Sequence, residues 1–252
     1  MLVDTHCHIH ESYELPVDEV LDAAKRDGVA ELICVGTSEL SSKQAIDFAE
    51  HHKSAFASIG VHPHDTKGGY SLIEELAGTS TRIVAVGEIG LDYFYTNSPK
   101  EVQVAALKAQ IEVALKHDLP IIFHVREAFD DFWPIFDSYK GIRGVLHSFT
   151  DSLENMKIAI EKGLYIGVNG ISTFTKDEAQ KAMFDAIPID RLLFETDAPF
   201  LTPAPYRGKI NQPAYVRVVA EFHANRRGIS IEEIADASTQ NARALFNLKT
   251  QS

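Results

Sequence analysis

Short apolar runs alternate with longer amphipathic or polar stretches from one end of the chain to the other, the pattern of strand-helix units that feed a parallel sheet. Eight runs read as strands: Leu2 to His6, Glu31 to Gly36, Ala55 to Val61, Ile83 to Glu88, Pro120 to His124, Gly144 to His147, Leu164 to Val168 and Leu192 to Asp197. Between them the pattern predicts helices at about 17–27, 40–52, 70–78, 101–117, 128–138, 152–162, 177–186 and 213–227, with one more at about 230–246. Several ends carry their own signals: Ser98-Pro99 before the fourth helix, Gly28 and Gly163 after the first and sixth, and Ser230 with Glu233 as a capping box. No long Pro/Gly/Ser linker, charge block or low-complexity tract interrupts the series, so residues 1–252 are expected to form one domain.

An uninterrupted run of eight such units points to an α/β fold, a (β/α)8 TIM-type barrel with an extra C-terminal helix. The length of 252 residues suits that architecture. A doubly wound open sheet shares the local pattern, but no GxGxxG follows the first strand and no GxxxxGK[ST] occurs, which weakens a nucleotide-binding sheet.

Composition narrows the surroundings. About 45% of the residues are hydrophobic and 24% charged, as in an ordinary globular protein, and no stretch approaches the roughly 18 apolar residues of a spanning helix. Two cysteines, Cys7 and Cys34, build neither a disulfide framework nor a four-cysteine zinc site. The N-terminus mixes Asp4, Glu11 and Glu14 with histidines and does not read as a secretory signal. A cytoplasmic protein is expected, with no membrane association and no obligate protein partner indicated. The net charge of −12 repels nucleic acid at long range, so any phosphate-bearing substrate must be held by a local site.

In a parallel barrel the chemistry collects at the C-terminal ends of the strands. Those ends carry His6-Cys7-His8 on the first strand, Glu88 on the fourth, His124 on the fifth, His147 on the sixth and Asp197 on the eighth. Because side chains alternate along a strand, His6 and His8 share a face and Cys7 faces the other way. A lone histidine ending a strand is more often structural. Four histidines and two acids at one mouth would instead gather charge without compensation, and bound divalent ions supply it. Imidazole with carboxylate suits Zn2+ or Mn2+; a site meant for Mg2+ alone would use fewer histidines, although Mg2+ stays open. Six ligands exceed one tetrahedral ion with an open position but fit two ions sharing a carboxylate, for which Glu88 is the natural bridge.

These residues, together with Gly60-Val61-His62-Pro63-His64, Gly87-Glu88-Ile89-Gly90-Leu91-Asp92-Tyr93, His124-Val125-Arg126-Glu127-Ala128, His147-Ser148-Phe149-Thr150, Glu195-Thr196-Asp197-Ala198-Pro199 and Arg207-Gly208-Lys209-Ile210-Asn211, resemble the TatD family of metal-dependent hydrolases, a branch of the amidohydrolase-like barrels. The resemblance covers essentially the whole chain. It implies a metal-dependent deoxyribonuclease cleaving phosphodiester bonds of DNA from the 3′ end. By position, His6, His8 and Asp197 with bridging Glu88 would hold one metal, and Glu88, His124 and His147 the other. Asp151 stands where the family usually has Gly, and Gln212 where Glu is frequent; neither removes a ligand.

Two such ions would activate a water and polarise the scissile group, with Asp197 as proton shuttle or as a ligand only. Glu195 and Asp4 each lie two residues before a ligand, where they could orient it or form structural ion pairs. His62, Arg126, Arg207 and Lys209 are the candidate substrate contacts, Lys209 being as readily a solvated surface residue. His64 is left open between contact and structure, and Asp92 reads as a loop cap or a partner for one of the cations. An amide, lactone or phosphotriester substrate, or a non-catalytic metal-binding protein, are the competing readings, since barrel and ligands do not name a substrate.

Overall fold

The computed structural model describes residues 1–95 and 97–248. Its elements are β1 (Leu2–Cys7), α1 (Val17–Arg26), β2 (Val29–Val35), α2 (Glu39–His51), β3 (Ala55–Ile59), α3 (Leu72–Leu76), β4 (Ile83–Asp92), α4 (Lys100–Lys116), β5 (Ile121–Arg126), α5 (Phe129–Asp137), β6 (Gly144–Leu146), α6 (Leu153–Glu161), β7 (Tyr165–Val168), α7 (Glu178–Ala186), β8 (Leu192–Phe194), α8 (Val216–Arg227) and α9 (Ile231–Phe246). The eight strands form one sheet in sequence order, β1 to β8, and the fold class is α/β of the (β/α)8 TIM type, with α9 as the additional C-terminal helix. A parallel bridge from Cys7 to Ala198 and a hydrogen bond from Thr5 Oγ1 to the Phe194 carbonyl, 3.0 Å, join β1 to the end of β8.

Two compact units are distinguished: Met1–Ile33 with the described part of Ser148–Ser252, and Cys34–His147. In the Cys34–His147 unit, β3, β4, β5 and β6 pair in parallel. Its core includes Phe123 and Phe132, edge to face at 5.1 Å. In the other unit β7 pairs with β8, and Leu2, Phe194 and Phe246 are fully buried. Removing a ring such as Phe132 would cost about 3–5 kcal/mol.

Helix starts follow local chemistry. The side chains of Ser38, Ser152, Asp177 and Ser230 accept the orphan N–H groups of α2, α6, α7 and α9, each cap worth about 1 kcal/mol. The predicted segments match these elements to within a few residues, with two informative differences. Strand β4 runs on past Glu88 to Asp92, because Ile89 to Asp92 pair with Phe123 to Arg126 of β5. Gly90 permits that approach: its φ is +157° and a Cβ there would stand 1.7 Å from the His124 carbonyl oxygen. Conversely, β8 stops at Phe194, and Glu195 to Asp197 lie beyond it.

Helix α4 does more than cover the sheet. Its inward stripe of Gln103, Ala106, Leu107, Gln110, Ile111 and Ala114 carries two amides among apolar side chains. Gln110 Oε1 accepts from Val61 N (2.7 Å) and its Nε2 donates to the Val61 carbonyl (3.2 Å). Gln103 does the same for Asp92, at 2.9 and 3.0 Å. Each glutamine thus satisfies both backbone groups of one residue at a strand end, where unpaired buried groups would be costly.

Candidate metal centres

In the unit built from both ends of the chain, His6 and His8 leave β1 on one face and meet Asp197 beyond β8. His6 Nε2 lies 3.1 Å from His8 Nε2, and these atoms are 3.7 and 3.3 Å from Asp197 Oδ1. Donors arranged tetrahedrally at about 2.1 Å around one ion stand about 3.4 Å apart, so three convergent N and O donors at these separations fit a divalent cation. Cys7 faces away, its thiol toward the Ile33 carbonyl at 3.5 Å.

The backbone at Asp197 is left-handed, with φ +58°, an uncommon conformation for a side-chain-bearing residue. It is held by Asp197 N donating to the His6 carbonyl and Phe200 N donating to the Asp197 carbonyl, both 2.8 Å. The Asp4 carboxyl braces this segment, accepting from Thr196 N (2.8 Å), Thr196 Oγ1 (2.6 Å) and, more weakly, His6 N (3.4 Å). Burial pushes Asp4 up to about 8 in spite of the Thr196 bonds. Glu195 accepts from Ser148 N at 2.6 Å, and a Cβ on Gly167 would fall 2.5 Å from Glu195 Oε2. That glycine makes room for the carboxylate.

In the Cys34–His147 unit, donor atoms of His62, Glu88 and His124 lie within 4.8 Å of one another. His124 Nδ1 is 2.8 Å from Glu88 Oε1; His62 Nε2 and His147 Nε2 stand 3.5 and 3.7 Å from the same oxygen. Three histidines therefore gather on one buried carboxylate, again in the range that one or more divalent ions would span.

Behind them sits Asp92, almost fully buried. Its Oδ2 receives His124 Nε2 at 3.0 Å and His64 Nε2 at 2.9 Å, while Oδ1 accepts Phe94 N and Tyr95 N at 3.0 and 2.9 Å. Burial alone would raise this carboxyl, but the His124 and Tyr95 bonds hold it well below the usual range. Reciprocally, Asp92 and Glu88 raise His124 against the opposing effect of burial. Asp92 thus combines the roles of loop cap and partner to histidines. His62 is pulled down to about 3 by burial and then by neighbouring His124, which keeps it neutral. Its Nδ1 accepts from His64 N at 3.2 Å, so the neutral ring carries its proton on Nε2, toward Glu88.

The structure gathers His6, His8 and Asp197 in one unit and Glu88, His124 and His147 in the other. His62, expected among the substrate contacts, has its ring beside Glu88, with Nε2 3.5 Å from Oε1. The exposed cations are differently disposed. Arg126 lies over the Phe94 ring at 4.0 Å. Arg207 lies over Phe174 at 3.9 Å and donates to the Thr202 carbonyl at 2.8 Å, and Lys209 Nζ is 5.3 Å from the Tyr206 ring. The anchoring role of Gln103 was missed, because a glutamine on the apolar stripe of a helix gives no signal until its partner strand is known.

Convergent histidine-carboxylate sets on a (β/α)8 fold define the class of metal-dependent hydrolases, and comparison with known proteins agrees. The family model described as TatD related DNase matches residues 3–247. The chain belongs to the TatD family of metal-dependent hydrolases, enzymes acting on ester bonds. It is 38% identical to the Bacillus subtilis (strain 168) metal-dependent hydrolase YabD, covering 98% of this chain and 100% of that one. It is 33% identical to the 3'-5' ssDNA/RNA exonuclease TatD of Citrobacter rodentium, covering 93% of each. Among solved structures, the TatD homologue YjjV from Escherichia coli K12 superposes with a TM-score of 0.90 at 29% identity over 98% of both chains. No helix among the described residues is long and apolar enough to cross a membrane.

Proposed function

We propose that the chain is a deoxyribonuclease that hydrolyses phosphodiester bonds from the 3′ end of DNA. The observation that carries this reading is the pair of donor sets: His6, His8 and Asp197 would hold one divalent ion, and Glu88 with His124 and His147 the other. When bound, such ions lower the pKa of a water near the reacting group and polarise a phosphoryl oxygen. Among the chain's own groups, Asp197 is the candidate to take the proton released by the nucleophile, since it is the one carboxylate of its set and is held in a fixed backbone conformation. His62, whose neutral ring carries its proton on Nε2 beside Glu88, is a candidate substrate contact. Arg126, Arg207 and Lys209 supply the local positive charge that the molecule as a whole lacks. Relatives named for 3'-5' ssDNA/RNA exonuclease activity support the substrate class.

A parallel assay tests the proposal: bis-p-nitrophenyl phosphate, a short 3′-labelled DNA and a dihydroorotate-like cyclic amide, each with and without Mn2+, Zn2+ or Mg2+. Metal-dependent loss of the 3′ label is the expected result. Brisk turnover of the cyclic amide with no DNA cleavage would transfer the function to small-molecule amide or lactone hydrolysis.

A further inference from the structure

Large apolar side chains in this fold are mostly buried, yet the consecutive residues Phe94 and Tyr95 are 49% and 46% exposed. They follow directly on β4. Their rings meet edge to face at 4.6 Å, and the Arg126 guanidinium lies 4.0 Å from the Phe94 centroid and 5.1 Å from that of Tyr95. The edge of His64 meets Tyr95 at 5.4 Å and 85°. The preceding residue, Tyr93, is already engaged, bonded to Asp131 at 2.7 Å and covered by Lys100 at 3.8 Å. The next two rings thus form a distinct exposed pair.

This pair is anchored to the metal-ligand candidates. Asp92 Oδ1 accepts both of its backbone amides, and Asp92 Oδ2 binds His124, whose other nitrogen touches Glu88. One carboxylate therefore fixes the aromatic loop and a candidate ligand in a single frame. Preorganisation of that kind reduces the ordering cost of binding.

We propose that Phe94, Tyr95 and Arg126 form a stacking platform for an unpaired base of a single-stranded nucleic acid end, set beside the Glu88–His124 cluster. The inference rests on the phosphodiesterase reading for the reacting bond and adds how the strand is held. The chemistry selects this occupant. Flat π faces with a guanidinium suit a planar heteroaromatic ring and a neighbouring phosphate. A base within a duplex has both faces covered and cannot use them. Stacking is also insensitive to charge, so it supplies affinity to a chain whose net charge of −12 offers no long-range attraction.

The test uses the full chain loaded with metal and two short single-stranded DNAs, protected from cleavage by phosphorothioate linkages, that differ only in whether the last two 3′ nucleotides carry bases. Fluorescence anisotropy gives both affinities. Wild type should bind the base-bearing strand about tenfold or more tighter than the abasic one, as expected for one or two stacked bases, and the ratio should persist as salt is raised. Phe94→Ala with Tyr95→Ala should bring the ratio close to one, while Phe94→Tyr with Tyr95→Phe should retain it.

Equal binding of the two strands by wild type, or an undiminished ratio in the double alanine variant with unchanged circular dichroism, overturns the platform. Cleavage of unprotected DNA is scored separately. Absence of the ratio in wild type with DNA still cleaved rejects the platform alone, whereas an intact, Phe94- and Tyr95-dependent ratio without cleavage upholds it and rejects the phosphodiesterase reading.

Discussion

Replacing Asp92 by asparagine should weaken one metal position while leaving the other in place. Asparagine keeps a carbonyl oxygen that can accept from the Phe94 and Tyr95 amides, so the loop retains its cap. On the other side it presents an NH2 group to His64 and His124 Nε2, which now donate to Asp92 Oδ2 at 2.9 and 3.0 Å. The partner that fixes His124 with Nδ1 turned to Glu88 is then lost. Carboxylates that orient a ligating histidine in this way are typically worth about 10- to 100-fold in metal affinity or activity, or about 1.4–2.7 kcal/mol at 1.36 kcal/mol per decade. A two-step binding isotherm, measured by chelator competition with Zn2+ or Mn2+, reads the effect directly. One step should move by that factor, and the step assigned to His6, His8 and Asp197 should stay within about threefold. An unchanged isotherm, or equal displacement of both steps in a protein with wild-type circular dichroism, would refute the reasoning.

Three further outcomes are expected. Asp197→Asn should lower turnover more than metal occupancy measured on the same preparation, because the amide still offers an oxygen but takes no proton; parallel loss of both would leave Asp197 a ligand only. DNA binding should show a shallow salt dependence, a slope of magnitude about 2 for three phosphate contacts at roughly 0.7 each, made by Arg126, Arg207 and Lys209; a slope of about 6 or more would indicate an extended DNA track. Finally, burial and then the neighbouring Arg227 hold His223 down to about 3, with its Nε2 2.9 Å from Ser172 Oγ. The folded pKa lies below the unfolded one, so this contribution to stability is complete above about pH 6.5. It is lost as pH falls toward 3, by about 1.4 kcal/mol per pH unit. Denaturant unfolding of wild type and His223→Leu between about pH 6.5 and 5 should show a shallower pH slope in the variant, and parallel curves would contradict the assignment.

Strand and helix positions were legible because the apolar runs are short and bounded, and the parallel order follows from their alternation with helices. The ends of β4 and β8 were not, since what extends β4 is close approach to the His124 backbone across Gly90. Likewise, what carries Asp197 beyond β8 is a left-handed turn braced by His6. Both are tertiary causes. The pairing of His6 with His8 could be read from alternation along a strand, as could the strand-end positions of His124 and His147. The central place of Asp92 could not: an aspartate at a strand end looks like any loop cap until His64 and His124 are seen to converge on it. Gln103 was obscured for the same reason, its role depending on the strand end that it anchors.

The central claim is that two sets of histidine and carboxylate donors each hold an ion and that phosphodiester hydrolysis needs both. Its most direct test is to titrate metal-free protein with Mn2+ or Zn2+ while following release of a 3′-terminal label from single-stranded DNA and, in the same samples, the bound metal. The expected result is no cleavage without metal and activity that reaches its plateau at two equivalents. Full cleavage by metal-free protein, or a plateau with one ion bound and no second binding step, would contradict it.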